Sequence, residues 1–100
     1  MIYTLIVEPE AEAEIDEASR WYKEISSELG EDFLRAVDEA FEAIRENPLQ
    51  YQIIYSNGRR VRLRRFTSYR LFYVVAERDV VVLACIHGRR NPKRWQDRIP

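Results

Sequence analysis

"VRLRRFTSYRLFYVVAERDVVVLACIH", residues 61–87, is the stretch that decides the fold. Its opening six residues alternate strictly, so Val61 and Leu63 face one side while Arg60, Arg62 and Arg64 face the other; one face is core and the other is guanidinium. Residues 69–77 and 80–87 are apolar runs rich in β-branched and aromatic side chains, separated by Arg78-Asp79, and should pair as a hairpin. Asn57-Gly58 is a second hairpin signal, joining an edge strand at residues 51–56 to the basic strand. The run at 80–87 is apolar on both sides. Its second face therefore needs a cover, either the tail around Trp95 or a partner chain, because a sheet face left open to water normally carries polar residues.

Upstream, "IYTLIVE", residues 2–8, reads as a further strand closed by Pro9, which suits the first turn of a helix. Ala11, Ile15, Ala18, Tyr22 and Ile25 then recur at helical spacing. Gly30 interrupts that helix, and Phe33, Val37, Ala40 and Ile44 trace a second apolar stripe that ends at Asn47-Pro48. The order is strand, helix, helix, then strands: an α+β fold, β-α-α-β-β-β, in which a helical hairpin packs on an antiparallel sheet of about four strands. At 100 residues the chain has room for a single domain spanning residues 1–100.

Composition narrows the function classes. With 46% hydrophobic and 33% charged residues, the chain has the make-up of an ordinary globular protein, not of a disordered or repeat chain. Its apolar runs are too short to span a bilayer, and the start lacks the pattern of a secretory signal, so a cytoplasmic location and no membrane partner are expected. One cysteine cannot form an internal disulfide, and one histidine offers no zinc spacing; no metal and no cofactor are expected. The net charge of −1 hides a division: residues 1–50 carry fourteen acids and four bases, whereas residues 51–100 carry twelve bases and three acids. This asymmetry points to an anionic partner, unless the two halves merely neutralise each other within the fold.

Four segments together resemble the RelE/ParE superfamily of toxins from bacterial type II toxin–antitoxin modules, and its ParE-like branch in particular. They are the opening strand with "EPEAEAEIDEASRWY", residues 8–22; "AFEAIRENP", residues 40–48; "RRVRLRRFTSYRLFYVV", residues 59–75; and "VLACIHGRRNPKRWQDR", residues 82–98. The family often has Phe-Pro-Tyr between the central strands, whereas here Thr67 and Ser68 separate Phe66 from Tyr69. The resemblance implies a toxin held inactive in a hetero-oligomer with a cognate, ParD-like antitoxin, as in plasmid stabilization modules. Its target would be DNA gyrase, as for characterised ParE-like members, or messenger RNA on the ribosome, which RelE-like members cut without metal. Fold alone does not choose between these. A plain nucleic-acid-binding module without toxicity is the reading from another class.

The residues can be weighed against each target. Metal-free RNA cleavage needs a base, an acid and cations on the phosphate. His87 could move a proton, Arg65 and Arg90 could hold phosphate, and Tyr69 is a further candidate, while Tyr69 and Trp95 could stack on unpaired bases. No carboxylate or lysine stands at a clear position in the basic strands to act as base. For a toxin that works by docking, Arg60, Arg62, Arg64, Arg89, Arg90, Lys93, Arg94 and Trp95 form the expected target or antitoxin surface. Side by side, the arginines of the basic strand repel one another unless an anion meets them. His87 also has a plain structural reading, as a cap that hydrogen-bonds the end of its strand. Cys85 is expected to be a small core residue, and Trp21 to be packing rather than recognition.

Overall fold

The computed structural model describes residues 2–100; Met1, included in the expected domain span, lies outside the described residues. The chain runs β1 (Thr4–Val7), α1 (Pro9–Ile25), α2 (Ser27–Glu46), a 3₁₀ turn (Pro48–Gln50), β2 (Ile53–Tyr55), β3 (Gly58–Arg62), β4 (Tyr69–Ala76), β5 (Asp79–His87) and α3 (Lys93–Gln96). The five strands form one sheet in the order β1-β5-β4-β3-β2. The architecture is the expected α+β fold, with two refinements. The short edge strand β2 is formed, and β1 joins β5 in parallel, with Leu5 opposite Val80, which makes the sheet mixed rather than antiparallel. A parallel partner for β1 follows from the helical hairpin between β1 and the rest, which carries the chain back across the sheet.

The helices break at Ser26, not at Gly30. Ser26 is extended, closes α1 through its N–H on the Tyr22 carbonyl, and caps α2 by accepting from the Leu29 N–H at 3.4 Å. Gly30 sits inside α2, where a Cβ would come within 3.0 Å of the Lys23 Cβ; its bare backbone lets the two helices approach at the hairpin. Ala11, Ile15 and Ala18 of α1 and Phe33, Val37, Ala40 and Ile44 of α2 are buried against Val61, Leu71, Tyr73, Val80 and Val82 of the sheet. An aromatic knot holds the hairpin to the strands: Tyr22 stacks on Phe33 at 5.2 Å, and Phe66 meets both edge-on. The expected stripe of α1 fails at its end, because Ile25 is 62% exposed beside the equally uncovered Trp21 at 56%.

Both hairpin turns lie one residue earlier than the dipeptide signals suggest. Tyr55 pairs with Gly58 around Ser56-Asn57, and Ala76 pairs with Asp79 around Glu77-Arg78. Ser56 and Glu77 take positive φ, 52° and 57°, at the first turn position. Gly58 is freed from the turn for another purpose: a Cβ there would lie 2.5 Å from the ring of Trp95. The basic strand also stops early. β3 ends at Arg62, and Arg64 and Arg65 belong to the following bend, so Arg64 is not part of the strand row.

Candidate functional site

A bulge in β5 sets which residues meet. Phe72 pairs with Ala84 but Tyr73 pairs with Val82, leaving Leu83 as an extra residue. In an unbroken strand Val80, Val82, Ala84 and Ile86 would share one face. Here Val80, Val82 and Cys85 join the helix-side core, while Ala84 and Ile86 turn to the opposite side with Phe72. The bulge therefore swings His87 onto the same face as Tyr69, its pairing partner, with ring centroids 5.4 Å apart.

That face opens into a cleft of about 870 Å³ between α1 and the ends of β4 and β5, lined by Trp21, Tyr22, Ile25, Tyr69, His87, Arg89, Arg90 and Arg94 among others. Tyr69, His87 and Arg90, three of the four ribonuclease candidates, are brought together here. Arg65 is not: it adopts φ 67° and donates to Asp32 of α2 at 2.7 Å, with its guanidinium over the Phe66 ring. Asp32 also accepts from Arg35, and the Arg65 hydrogen bond foremost holds its carboxyl below the usual range.

The proton chemistry in the cleft is constrained. His87 Nδ1 accepts from the Arg89 N–H at 3.1 Å, so the neutral ring carries its proton on Nε2 and caps the strand end. Burial pushes the Tyr69 phenol up, neighbouring Tyr22 adds to this, and the Arg90 charge opposes it only in part. A phenol shifted in that direction is a poor base at neutral pH. Cys85, buried in the strand, has its thiol pushed up to about 12 by burial and is a core residue without nucleophilic character.

Three carboxylates of α1 line the cleft, Glu14, Glu17 and Glu24; of these only Glu14, which sequence reasoning passed over, is buried. It stands on the buried stripe of α1 between Ala11 and Ala18 and accepts four hydrogen bonds: from the Cys85 N–H at 3.1 Å, from Arg94 Nε at 3.1 Å, and from both ends of the Arg98 fork at 2.9 and 3.0 Å. The signal that could have found it is its spacing, since an acid three residues after Ala11 and four before Ala18 must be buried and hence paired. With its acceptors filled, Glu14 is a structural clamp and not a general base. Arg94 is accordingly an ion-pair partner, which removes it from the freely available docking cations.

Trp95 is corrected outright as a stacking or docking residue. It is 2% exposed and lies flat on Phe72 over Gly58, with Ala84, Ile86, Ile54 and Ile99 around it. The tail thus supplies the cover that the two-sided apolar strand required, and no base can reach the indole. Trp21, expected to be packing, is instead more than half exposed at the cleft rim.

On the sheet face away from the helices, Arg60 stands opposite Phe72, and Arg62 stands opposite Arg70. None of the three arginines has an ion-pair partner among the described residues. Arg70 went unremarked as a site residue because it sits inside an apolar run; it donates to the Ser68 carbonyl at 3.1 Å, and its guanidinium lies over Gly88.

The comparisons with known proteins meet this geometry. The model of the ParE toxin of type II toxin–antitoxin systems, parDE, matches residues 5–92. This chain belongs to the ParE toxin family. It is therefore the toxin component of a type II toxin–antitoxin system, and its partner is a cognate antitoxin. Among solved structures it is similar to the chromosomal ParDE system from P. aeruginosa, with TM-score 0.70 at 16% identity over 86% of this chain and 96% of that one. It is also similar to a doubly mutated E. coli toxin RelE in the free state, with TM-score 0.63 at 18% identity over the whole of both chains. No curated protein matches the sequence significantly. Among the described residues, no helix is long and apolar enough to cross a membrane.

Proposed function

We propose that this ParE-family toxin acts in the cytoplasm on DNA gyrase, by docking and not by cleaving RNA. The observation that carries the reading is the failure of a catalytic set to assemble. Arg65 is committed to Asp32, Glu14 to two arginines and a backbone N–H, and Tyr69 is shifted away from use as a base. Among the described residues, Arg89 and Arg90 at the cleft rim and Arg60, Arg62 and Arg70 on the far sheet face are cations without ion-pair partners. Such surfaces bind without requiring proton transfer. We further propose that the antitoxin docks on α1 and the cleft; the exposed Trp21 and Ile25, which offer apolar anchors beside Arg89 and Arg90, support this.

The ribonuclease reading keeps one observation in its favour, that Tyr69, His87 and Arg90 share the cleft. Induction in bacterial cells separates the two. A gyrase-directed toxin stops growth and raises DNA-damage signalling while bulk messenger RNA stays intact, and co-expression of the antitoxin restores growth. Arrest with rapid messenger RNA loss and no damage signal overturns the reading in favour of RNA cleavage. No arrest at all favours the non-toxic binding module.

A further inference from the structure

We infer that the outer edge of β2 is where two copies of this toxin pair, strand against strand about a two-fold axis, with Ile53 meeting Ile53 of the second copy. The inference goes beyond the gyrase reading and does not rest on it. It starts from charge. Residues 47–58 contain no Asp, Glu, Lys, Arg or His, the longest such run in a chain in which 33% of residues are charged. The run lies at the surface: Leu49 is 57% exposed, and Ile53 and Tyr55 are each 49% exposed. β2 is the last strand of the sheet, and it carries neither the charge nor the proline that normally keeps an open edge from pairing. The Arg60 N–H donates to the Gln52 carbonyl at 3.3 Å, so Gln52 faces β3, and Ile53, next along the strand, turns its N–H and carbonyl outward.

The edge is held in shape from within. Tyr73 donates its hydroxyl to the Pro48 carbonyl at 2.5 Å, and Arg59 donates to the carbonyls of Leu49 and Tyr51 at 3.2 and 2.6 Å. Tyr55 rests edge-on against Trp95, with ring centroids 6.1 Å apart. A preorganised edge loses little freedom on pairing. Neutrality selects the occupant. A two-fold contact sets each surface against its own copy. Through the exposed acids of α1 and α2, or through Arg60, Arg62 and Arg70, such a contact would oppose like charges; at β2 it opposes none. Nucleic acid or an acidic peptide finds no free counter-charge along this edge, because Arg59, the cation paired opposite Ile53, is turned to backbone carbonyls. In the pair, Ile53 lies on the axis and exchanges both backbone hydrogen bonds with its copy, which makes the two sheets continuous. The two β3 strands then stand three strand spacings apart, roughly 14 Å, beyond the screening length at physiological salt, so their arginines do not oppose the contact. β2 is only three residues long, which keeps the interface small and the dimer weak, with a dissociation constant in the micromolar range or above.

The test is sedimentation equilibrium of the full-length toxin across a concentration and salt series, with hydrogen exchange at the Ile53 amide read on the same samples. The average mass should rise from one chain toward two with concentration, change little with salt, and be accompanied by slower exchange at Ile53. Ile53→Lys sets two ammonium groups against each other across the axis and should weaken association at least about tenfold. Leu34→Ser, which removes a comparably exposed apolar side chain from α2, should leave association unchanged. Circular dichroism checks that the folds match. A toxin that stays monomeric up to about 1 mM overturns the inference. So does a dimer that survives Ile53→Lys, one that Leu34→Ser disrupts, or one in which the Ile53 amide exchanges equally fast at every concentration. A monomeric toxin whose binding to the cognate antitoxin is weakened by Ile53→Lys would assign the edge to the antitoxin and overturn the pairing of copies.

Discussion

Trp95 lies on Phe72 with ring centroids 4.3 Å apart and planes 11° from parallel, so the last turn of helix closes the second face of the sheet. This contact makes a two-sided strand like β5 tolerable in a small protein. Trp95→Ala should cost about 3–5 kcal/mol, the usual loss for a buried tryptophan, and expose Phe72, Ala84 and Ile86. Urea unfolding measures it, and a loss under 1 kcal/mol would mean that the tail adds little to the core. Gly58→Ala should destabilise through the same ring, which stands 2.5 Å from the added methyl position.

Glu14 ties α1 to the tail and to the bulged end of β5. Glu14→Ala leaves the buried Cys85 N–H without its acceptor, for an expected loss of about 1–3 kcal/mol. The arginines, partly exposed, can turn to water and add less. Hydrogen exchange should show faster opening of residues 93–100 and of the Cys85 amide, with α2 protection falling less. Uniform loss of protection across the chain would contradict a local clamp.

The Asp32–Arg65 pair sets a pH dependence whose sign is fixed. Asp32 has a folded pKa below its unfolded value, chiefly through the Arg65 hydrogen bond, so its contribution is present above about pH 4 and is lost as pH falls through the depressed value. Thermal midpoints from pH 2 to 6 should fall less steeply toward acid for Asp32→Asn than for the unaltered protein. Parallel curves would show that the pair contributes nothing to the acid limb.

Cys85, with its thiol pushed up to about 12 and its side chain buried, should resist thiol reagents at neutral pH until the protein unfolds. Labelling that outpaces global unfolding by a large factor would mean that the strand end opens locally.

Alternation and apolar spacing carried most of the fold, because each helix buries an apolar stripe and β4 and β5 are continuous apolar runs buried on both faces. The failures share a physical cause: each is set by a contact distant in sequence. Gly58 resembles a turn glycine but is kept small for Trp95, thirty-seven positions on. The bulge at Leu83 carries no local mark, yet it decides which face receives His87. Arg94 reads as a free cation until Glu14 is found beneath it. Of the expected site residues, Tyr69, His87, Arg89 and Arg90 do converge, whereas Trp95 and Arg65 are claimed by packing and by Asp32.

The central claim is that the toxin works on gyrase by binding, and reconstitution tests it most directly. Purified toxin is incubated with gyrase, ATP and supercoiled plasmid, alongside His87→Gln at equal concentration. The account predicts gyrase-dependent linear plasmid from both proteins, since His87 caps a strand through Nδ1 and need not transfer a proton. The contradicting result is intact plasmid with messenger RNA cut on ribosomes by the unaltered protein, and that cutting reduced about 10²–10⁴-fold by His87→Gln, which would make the cleft an active site.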